Sequence, residues 1–316
     1  MDVVTIGETM ALFTPDTTGL MRYAKQFTMK FGGAESNVVI GLSRLGHKTG
    51  WISKVGNDEF GKAMIAAIRG EGVDVSQVKL DPEHPTGVYF KEPRRANDVR
   101  IYYYRHGSAA SQLTVQDLNE EYIASAKYLH VTGITPALSE SCYETTMEAI
   151  EMAKRNHVTV VFDPNLRKKL WSEDKARTTL LELASKADIV LPGIAEGEFM
   201  FHERNPQKIG ECFIHLGASI VALKVGAEGA YYFTSKESAK VPGFSVDQVI
   251  DPIGAGDGFA AGFISGLLEE LSLPKAVERG NAVGAFVTMV SGDIEGLPEK
   301  DELYSRLHKK IDDVTR

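Results

Sequence analysis

Beyond residue 125 the chain repeats one interval: apolar runs at Tyr128–Val131, Val158–Phe162, Ile189–Leu191 and Ile220–Val225, the last three starting 31 residues apart. A helix-like stretch precedes each run. A strand, a crossover helix and two turns need about 30 residues, so the interval predicts βαβ units and a parallel sheet covered by helices. The units share no sequence with one another, which sets aside a solenoid of repeats. Each run ends in polar or turn-forming residues, namely Thr132-Gly133, Asp163-Pro164-Asn165, Pro192-Gly193 and Gly226. Ligands of open α/β sheets lie beyond the carboxyl ends of the strands, so these four ends point to one cleft.

Residues 86–105 break the interval. TGVYFKE and VRIYYYR flank a charged, turn-like PRRAND with no crossover helix between them, which predicts a β-hairpin. Alternation puts Tyr103 and Arg105 on one face and Tyr102 and Tyr104 on the other. One face can touch a ligand while the other packs; equally, the tyrosines can fill the core of a small sheet. Arg105 is harder to bury without an anionic partner.

With 316 residues, 43% of them apolar, the chain can bury a large core as one α/β domain or as two ordinary ones. A net charge of -8 argues against nucleic acid and anionic membranes as partners, so an anionic ligand needs a local positive site. Cys142 and Cys212 lie far apart and outside any metal-ligand spacing, which predicts two ordinary thiols. MDVVTIGETM runs directly into a strand-like VVTI with no basic leader or apolar signal core, and no apolar run reaches membrane-spanning length; the expectation is a cytoplasmic protein.

The chemistry concentrates in DPIGAGDGFAAGF, Asp251–Phe263, where a glycine-rich turn opens a helix with Phe259, Phe263 and Leu267 on one face. Gly254, Ala255 and Gly256 leave backbone amides unobstructed, and the helix directs its unsatisfied N–H groups and partial positive end at the turn, as phosphate requires. An acid inside such a turn, Asp257, has two readings. It is a base that deprotonates an attacking hydroxyl while the amides stabilise a transferred phosphoryl group, or it is an N-cap, with Gly258, Gly262 and Gly266 only permitting close helix packing. GNDEFGKA has Walker A spacing but ends in alanine, and Phe259 occupies the last glycine position of a dinucleotide fingerprint, so neither motif is present.

Five motifs in order, GGAESN (32–37), GNDEFG (56–61), DPNLR (163–167), KVGAEG (224–229) and DPIGAGD (251–257), resemble the ribokinase-like PfkB sugar kinases over nearly the whole chain. The resemblance implies one domain over residues 1–316: a central, mostly parallel sheet flanked by helices, with a small β-sheet lid from segments near 9–30 and 86–108. It implies an ATP- and Mg2+-dependent kinase with Asp257 as catalytic base, and homo-oligomers formed through the lid. GGAESN, YYYRHGSAA (102–110), DPNLR and SGDIEG (291–296) are similar to members that phosphorylate 2-keto-3-deoxygluconate at its terminal hydroxyl. Arg105 and Arg167 offer planar forks suited to a sugar acid's carboxylate, although Arg167 can instead serve nucleotide phosphates.

Carried over residue by residue, the resemblance assigns Gly33, Ala34, Glu35, Ser36, Asn37, Tyr89, Tyr103, Tyr104, Arg105, Arg167, Asp257 and Asp293 to the substrate. It assigns Asn165, Arg167, Lys224, Gly226, Gly229, Gly254, Ala255, Gly256 and Asn281 to ATP. Glu196 is the candidate for indirect metal binding, with Gly193 standing where the family's NxxE pattern has asparagine. A monovalent cation near the glycine turn is also implied, although Pro252-Ile253 replace the Thr or Ser of many members and remove a hydroxyl and an N–H. The rival readings are a fructokinase or other neutral-sugar kinase on the same fold and a non-catalytic sugar-binding relative. The first has no use for two arginines and the second none for Asp257.

Overall fold

A computed structural model describes residues 1–95 and 98–307. Its strands are β1 (Val3–Ile6), β2 (Met10–Pro15), β3 (Phe27–Gly32), β4 (Thr49–Gly56), β5 (Val78–Asp81), β6 (Val88–Arg95), β7 (Asp98–Tyr104), β8 (Tyr128–Thr132), β9 (Thr159–Asp163), β10 (Ile189–Val190), β11 (Ile220–Lys224), β12 (Gly229–Phe233) and β13 (Ser238–Pro242). The helices are α1 (Ala34–Arg44), α2 (Glu59–Gly70), α3 (Glu120–Ala124), α4 (Glu140–Arg155), α5 (Glu173–Lys186), α6 (Ile194–Phe201), α7 (Pro206–Leu216), α8 (Ala255–Leu268), α9 (Leu273–Val287) and α10 (Lys300–Leu307).

Nine strands form one sheet in the order β13-β12-β11-β10-β9-β8-β1-β4-β5. All neighbours pair in parallel except β12, which runs antiparallel to β11 and β13. The 31-residue interval is therefore the spacing of β9, β10 and β11, with α5 and then α6 and α7 in the crossovers. These strands read as continuous apolar runs because each faces protein on two sides. Alternate residues divide between two cores: Val3 and Val161 pack with Trp51, Phe263 and Phe286 on one face, and Val4 and Val160 with Leu180 and Phe213 on the other.

A second sheet, ordered β3-β2-β6-β7, carries the predicted hairpin as β6 and β7; Ala96 and Asn97 of its turn lie outside the described residues. Its β2 follows directly on β1, so this sheet stands at the carboxyl edge of the large one. Both cysteines are free thiols, and no described helix is long and apolar enough to cross a membrane.

Candidate active site

Gly254 caps α8 in the left-handed region, at φ 83°, and Asp257 is the third residue of the helix. Asp257 is therefore not the cap, and its carboxylate accepts no bond from the helix N–H groups. It instead accepts from Asn37 Nδ2 at 2.8 Å, which ties α1 to α8. The helix-packing reading of the glycines holds as well: a Cβ at Gly258, Gly262 or Gly266 would meet α9 at 2.7–2.8 Å, so the three glycines let α9 lie close against α8.

Two cavities adjoin here. The first, 430 Å³, lies between the small sheet and the carboxyl ends of the large one, and Asp257 forms part of its wall. The second, 470 Å³, lies over the start of α8 against β12, the residues after β13, and α9. Lys224, Pro252 and Gly256 line the two together, so the amino end of α8 stands at their junction.

Charge is concentrated in the first cavity. Lys224 Nζ reaches Asp163 Oδ2 at 2.6 Å. Burial alone would lower the Lys224 ammonium, but Asp163 and Glu196 hold it above its ordinary value. Burial also raises the Asp257 carboxyl. The Asn37 bond and Arg167 pull it back, Asp163 and Asp293 push it further, and it settles at about 7. On the opposite wall Tyr89 Oη donates to Asp293 Oδ2 at 2.9 Å; burial and the Asp293 charge raise the phenol, and burial raises the Asp293 carboxyl.

The first cavity collects Gly33, Ala34, Glu35, Asn37, Tyr89, Tyr103, Arg105, Arg167, Asp257 and Asp293 from the predicted substrate set. Two members fall elsewhere. Tyr104 is 67% exposed on the outer face of the small sheet, its ring edge against Phe90, because alternation turns it away from Tyr103. Ser36 is turned toward Thr9, whose hydroxyl donates to it at 2.7 Å. Glu35 spends its carboxylate on the hydroxyls of Thr132 and Thr135, at 2.6 and 2.8 Å. From the ATP set, Lys224, Gly226, Gly229, Ala255, Gly256 and Asn281 line the second cavity, whereas Asn165, Arg167 and Gly254 line the first. Glu196 engages both oxygens in holding backbone, accepting from Gly193 N at 2.6 Å and Leu166 N at 3.1 Å.

The two arginines differ. Arg105 is buried and paired with Glu8: its Nε donates to Glu8 Oε2 at 2.7 Å, while Ser108 Oγ donates to Oε1 at 2.5 Å. Arg167 is exposed at the first cavity, and among the described residues its side chain has no hydrogen bond or ion pair.

Sequence reasoning passed over Glu8 and Lys91, and named Asp163 and Asp251 only within their motifs, without roles of their own. Glu8 follows the end of β1, where the strand-end rule points, and Lys91 shares the face of Tyr89 by alternation; both signals were available.

The pattern of the pfkB family carbohydrate kinases matches residues 1–300. A 2-dehydro-3-deoxygluconokinase of Bacillus subtilis (strain 168) is 44% identical over 309 residues, covering 97% of this chain and 95% of that protein. A PfkB protein from Polaromonas sp. JS666 has a similar solved structure, with a TM-score of 0.89 and 41% identity over 96% of this chain and 99% of its own. A fructokinase from Vibrio cholerae O395, in fructose, ADP and calcium ion bound form, gives a TM-score of 0.86 at 26% identity over 96% of this chain and 98% of its own. With the family pattern spanning both sheets and both cavities, the chain belongs to the pfkB family of carbohydrate kinases and is a sugar kinase.

Proposed function

We propose that the protein transfers the γ-phosphoryl group of ATP to the terminal hydroxyl of 2-keto-3-deoxygluconate, with Asp257 as the base. The carrying observation is the Asp257 carboxylate. It stands on the wall of the charged cavity, one residue from the junction with the second cavity, and is held by Asn37 with its proton affinity raised to about 7. A carboxylate so poised accepts a hydroxyl proton near neutral pH. The hydroxyl oxygen then bonds to the γ-phosphorus, the bond to the β–γ bridging oxygen breaks, and ADP leaves with that electron pair. Amides at the start of α8 take up charge on the transferred group.

Gly226, Gly229 and Asn281, with Phe244, Val246 and Phe259, give the second cavity the apolar walls and open backbone suited to a nucleoside triphosphate. Among the described residues no three His, Cys, Asp or Glu side chains converge on a metal site, and Asp163 and Glu196 already hold protein donors. These residues suit a Mg2+ ion that arrives on the phosphates of ATP, where it neutralises their charge. Consumption of ATP supports a cytoplasmic location.

The acidic substrate rests on Arg167, an exposed guanidinium at the first cavity with no hydrogen bond or ion pair among the described residues, and on the relative from B. subtilis. A neutral sugar such as fructose is the second reading, favoured by the Arg105–Glu8 pair, which spends one arginine within the protein. The outer face of the small sheet, where Phe13, Phe27 and Tyr104 surround Phe90, supports homo-oligomers formed through that sheet, and the family match over residues 1–300 supports reading the chain as one domain. A coupled ADP-release assay over keto-deoxy acids, fructose, ribose and adenosine tests the substrate. Preference for the acids supports the proposal, preference for fructose replaces the substrate, and silence across the panel removes the kinase reaction proposed here.

A further inference from the structure

Two alternate residues of β6 that line the first cavity each reach an acid outside the small sheet. Tyr89 donates to Asp293, and the Lys91 ammonium pairs with Asp251 Oδ2. The ion pair is sealed, with side chains 7% and 8% exposed. Such a pair repays its desolvation only where geometry and further hydrogen bonds are good, so its burial is weak evidence of added stability. Asp251 begins the glycine turn: Oδ1 accepts from Ile253 N at 3.2 Å, and Oδ2 accepts from Gly292 N at 3.4 Å in the segment that carries Asp293. One carboxylate thus fixes the approach to α8 and joins it to the 291–293 strap. Asp293 Oδ1 is buried there without a partner among the described residues, and the Lys91 charge acts on that carboxyl too.

The residues at this turn do not fit a free monovalent cation. The acid that would hold one already carries an ammonium, and Pro252-Ile253 provide no hydroxyl. We infer that Lys91 is a built-in monovalent cation of the phosphoryl turn, delivered by the small sheet, so that seating of that sheet sets the turn and turnover needs no added alkali-metal ion. The inference rests on the reading of this turn as the phosphoryl site. Lys91 touches no reacting atom; it is a positioning residue acting through Asp251.

The test compares K+, NH4+ and tetramethylammonium as sole monovalent cation at fixed ionic strength, for turnover of the best sugar in the panel and for melting temperature. Wild-type turnover should agree within about twofold among them, with no cation-specific shift in melting, since screening is held constant. Lys91→Ala should lose about a hundredfold in kcat with a much smaller change in sugar KM. Methylammonium or K+ should recover about tenfold of that loss and raise its melting temperature, while tetramethylammonium, too large for the vacated space, should do neither. Wild type activated more than about threefold by K+, or melting higher with K+ than with tetramethylammonium at equal screening, overturns the inference without reference to any variant. A Lys91→Ala protein that is as fast as wild type, or folded and slow but unrecovered by every small cation, overturns it as well. If no sugar is turned over, the proposed reaction fails, and the melting comparison still decides the cation question.

Discussion

The two cavities meet at Gly256 yet are built from opposite materials. The first is walled by charged side chains that cross from one element to another: Arg105 to Glu8, Lys91 to Asp251, Lys224 to Asp163, and Asp257 to Asn37. The second is walled by glycines, apolar side chains and open backbone. On the proposed function the difference divides the labour: side chains from several elements would select a polyhydroxylated substrate and hold the proton acceptor, while backbone amides would receive the polyphosphate. Substitutions in the first cavity should therefore change catalysis and sugar choice, and those in the second should change ATP affinity alone.

The hardest test of that division is Asp257→Asn. It should cost about 10²- to 10⁴-fold in kcat with little change in KM for ATP, the range expected for loss of a positioned base. Stability gives an independent check. The folded-state pKa of about 7 lies above the ordinary carboxylate value of 3.8, so wild type loses stability as pH rises from the lower value through the higher, and the variant does not. The melting temperature of Asp257→Asn relative to wild type should therefore climb with pH across that window. A variant that keeps near-normal turnover would break the comparison outright.

Within the first cavity the two arginines should separate. Arg105→Ala leaves Glu8 buried and unpaired, at a cost of about 3–5 kcal/mol, visible as a large fall in melting temperature whatever the substrate. Arg167→Ala removes an exposed group with no hydrogen bond or ion pair among the described residues and should change melting little. It should lower kcat/KM about 10- to 100-fold for a keto-deoxy acid and far less for fructose, as loss of a charge-assisted contact predicts. Equal losses on both sugars would return Arg167 to the nucleotide phosphates.

These arginines also mark where the sequence stops being legible. The parallel sheet is readable from its continuous apolar strands, and the Asp257 turn from glycines next to an acid, because both signals are local. The partner of Arg105 is not, since Glu8 lies 97 residues away and is brought in by the passage from β1 to β2. Resemblance takes the YYYR run as a block, whereas alternation separates Tyr104 from Tyr103, and the fold follows alternation. Glu196 is the candidate for indirect metal binding in sequence; in the fold it also holds the start of α6 to the DPNLR loop, a role its spacing does not announce.

A smaller effect reports on the acid limb. The kcat/KM profile should fall as pH drops through about 7, where Asp257 takes up its proton. Asn37 donates to the charged carboxylate, so Asn37→Ala should move that limb to higher pH while the plateau at high pH changes less. A limb that stays in place would show that another group sets it.

The mildest perturbation belongs to the second cavity. The Asn281 amide donates to Val241 O at 3.3 Å and Pro242 O at 3.0 Å, holding the end of β13 against α9. Gly229, at φ 103°, sits under the same turn, where a Cβ would meet Val241 O at 2.2 Å. The wall is thus positioned by backbone contacts that Asn281 secures, without any charge. Asn281→Ala should cost about 1 kcal/mol, the net worth of such bonds, appearing as a several-fold rise in KM for ATP with sugar KM and the pH limb unchanged. A shift in sugar KM of the same size would mean that the cavities are coupled through Gly256, and the division of labour between side chains and backbone would have to be abandoned.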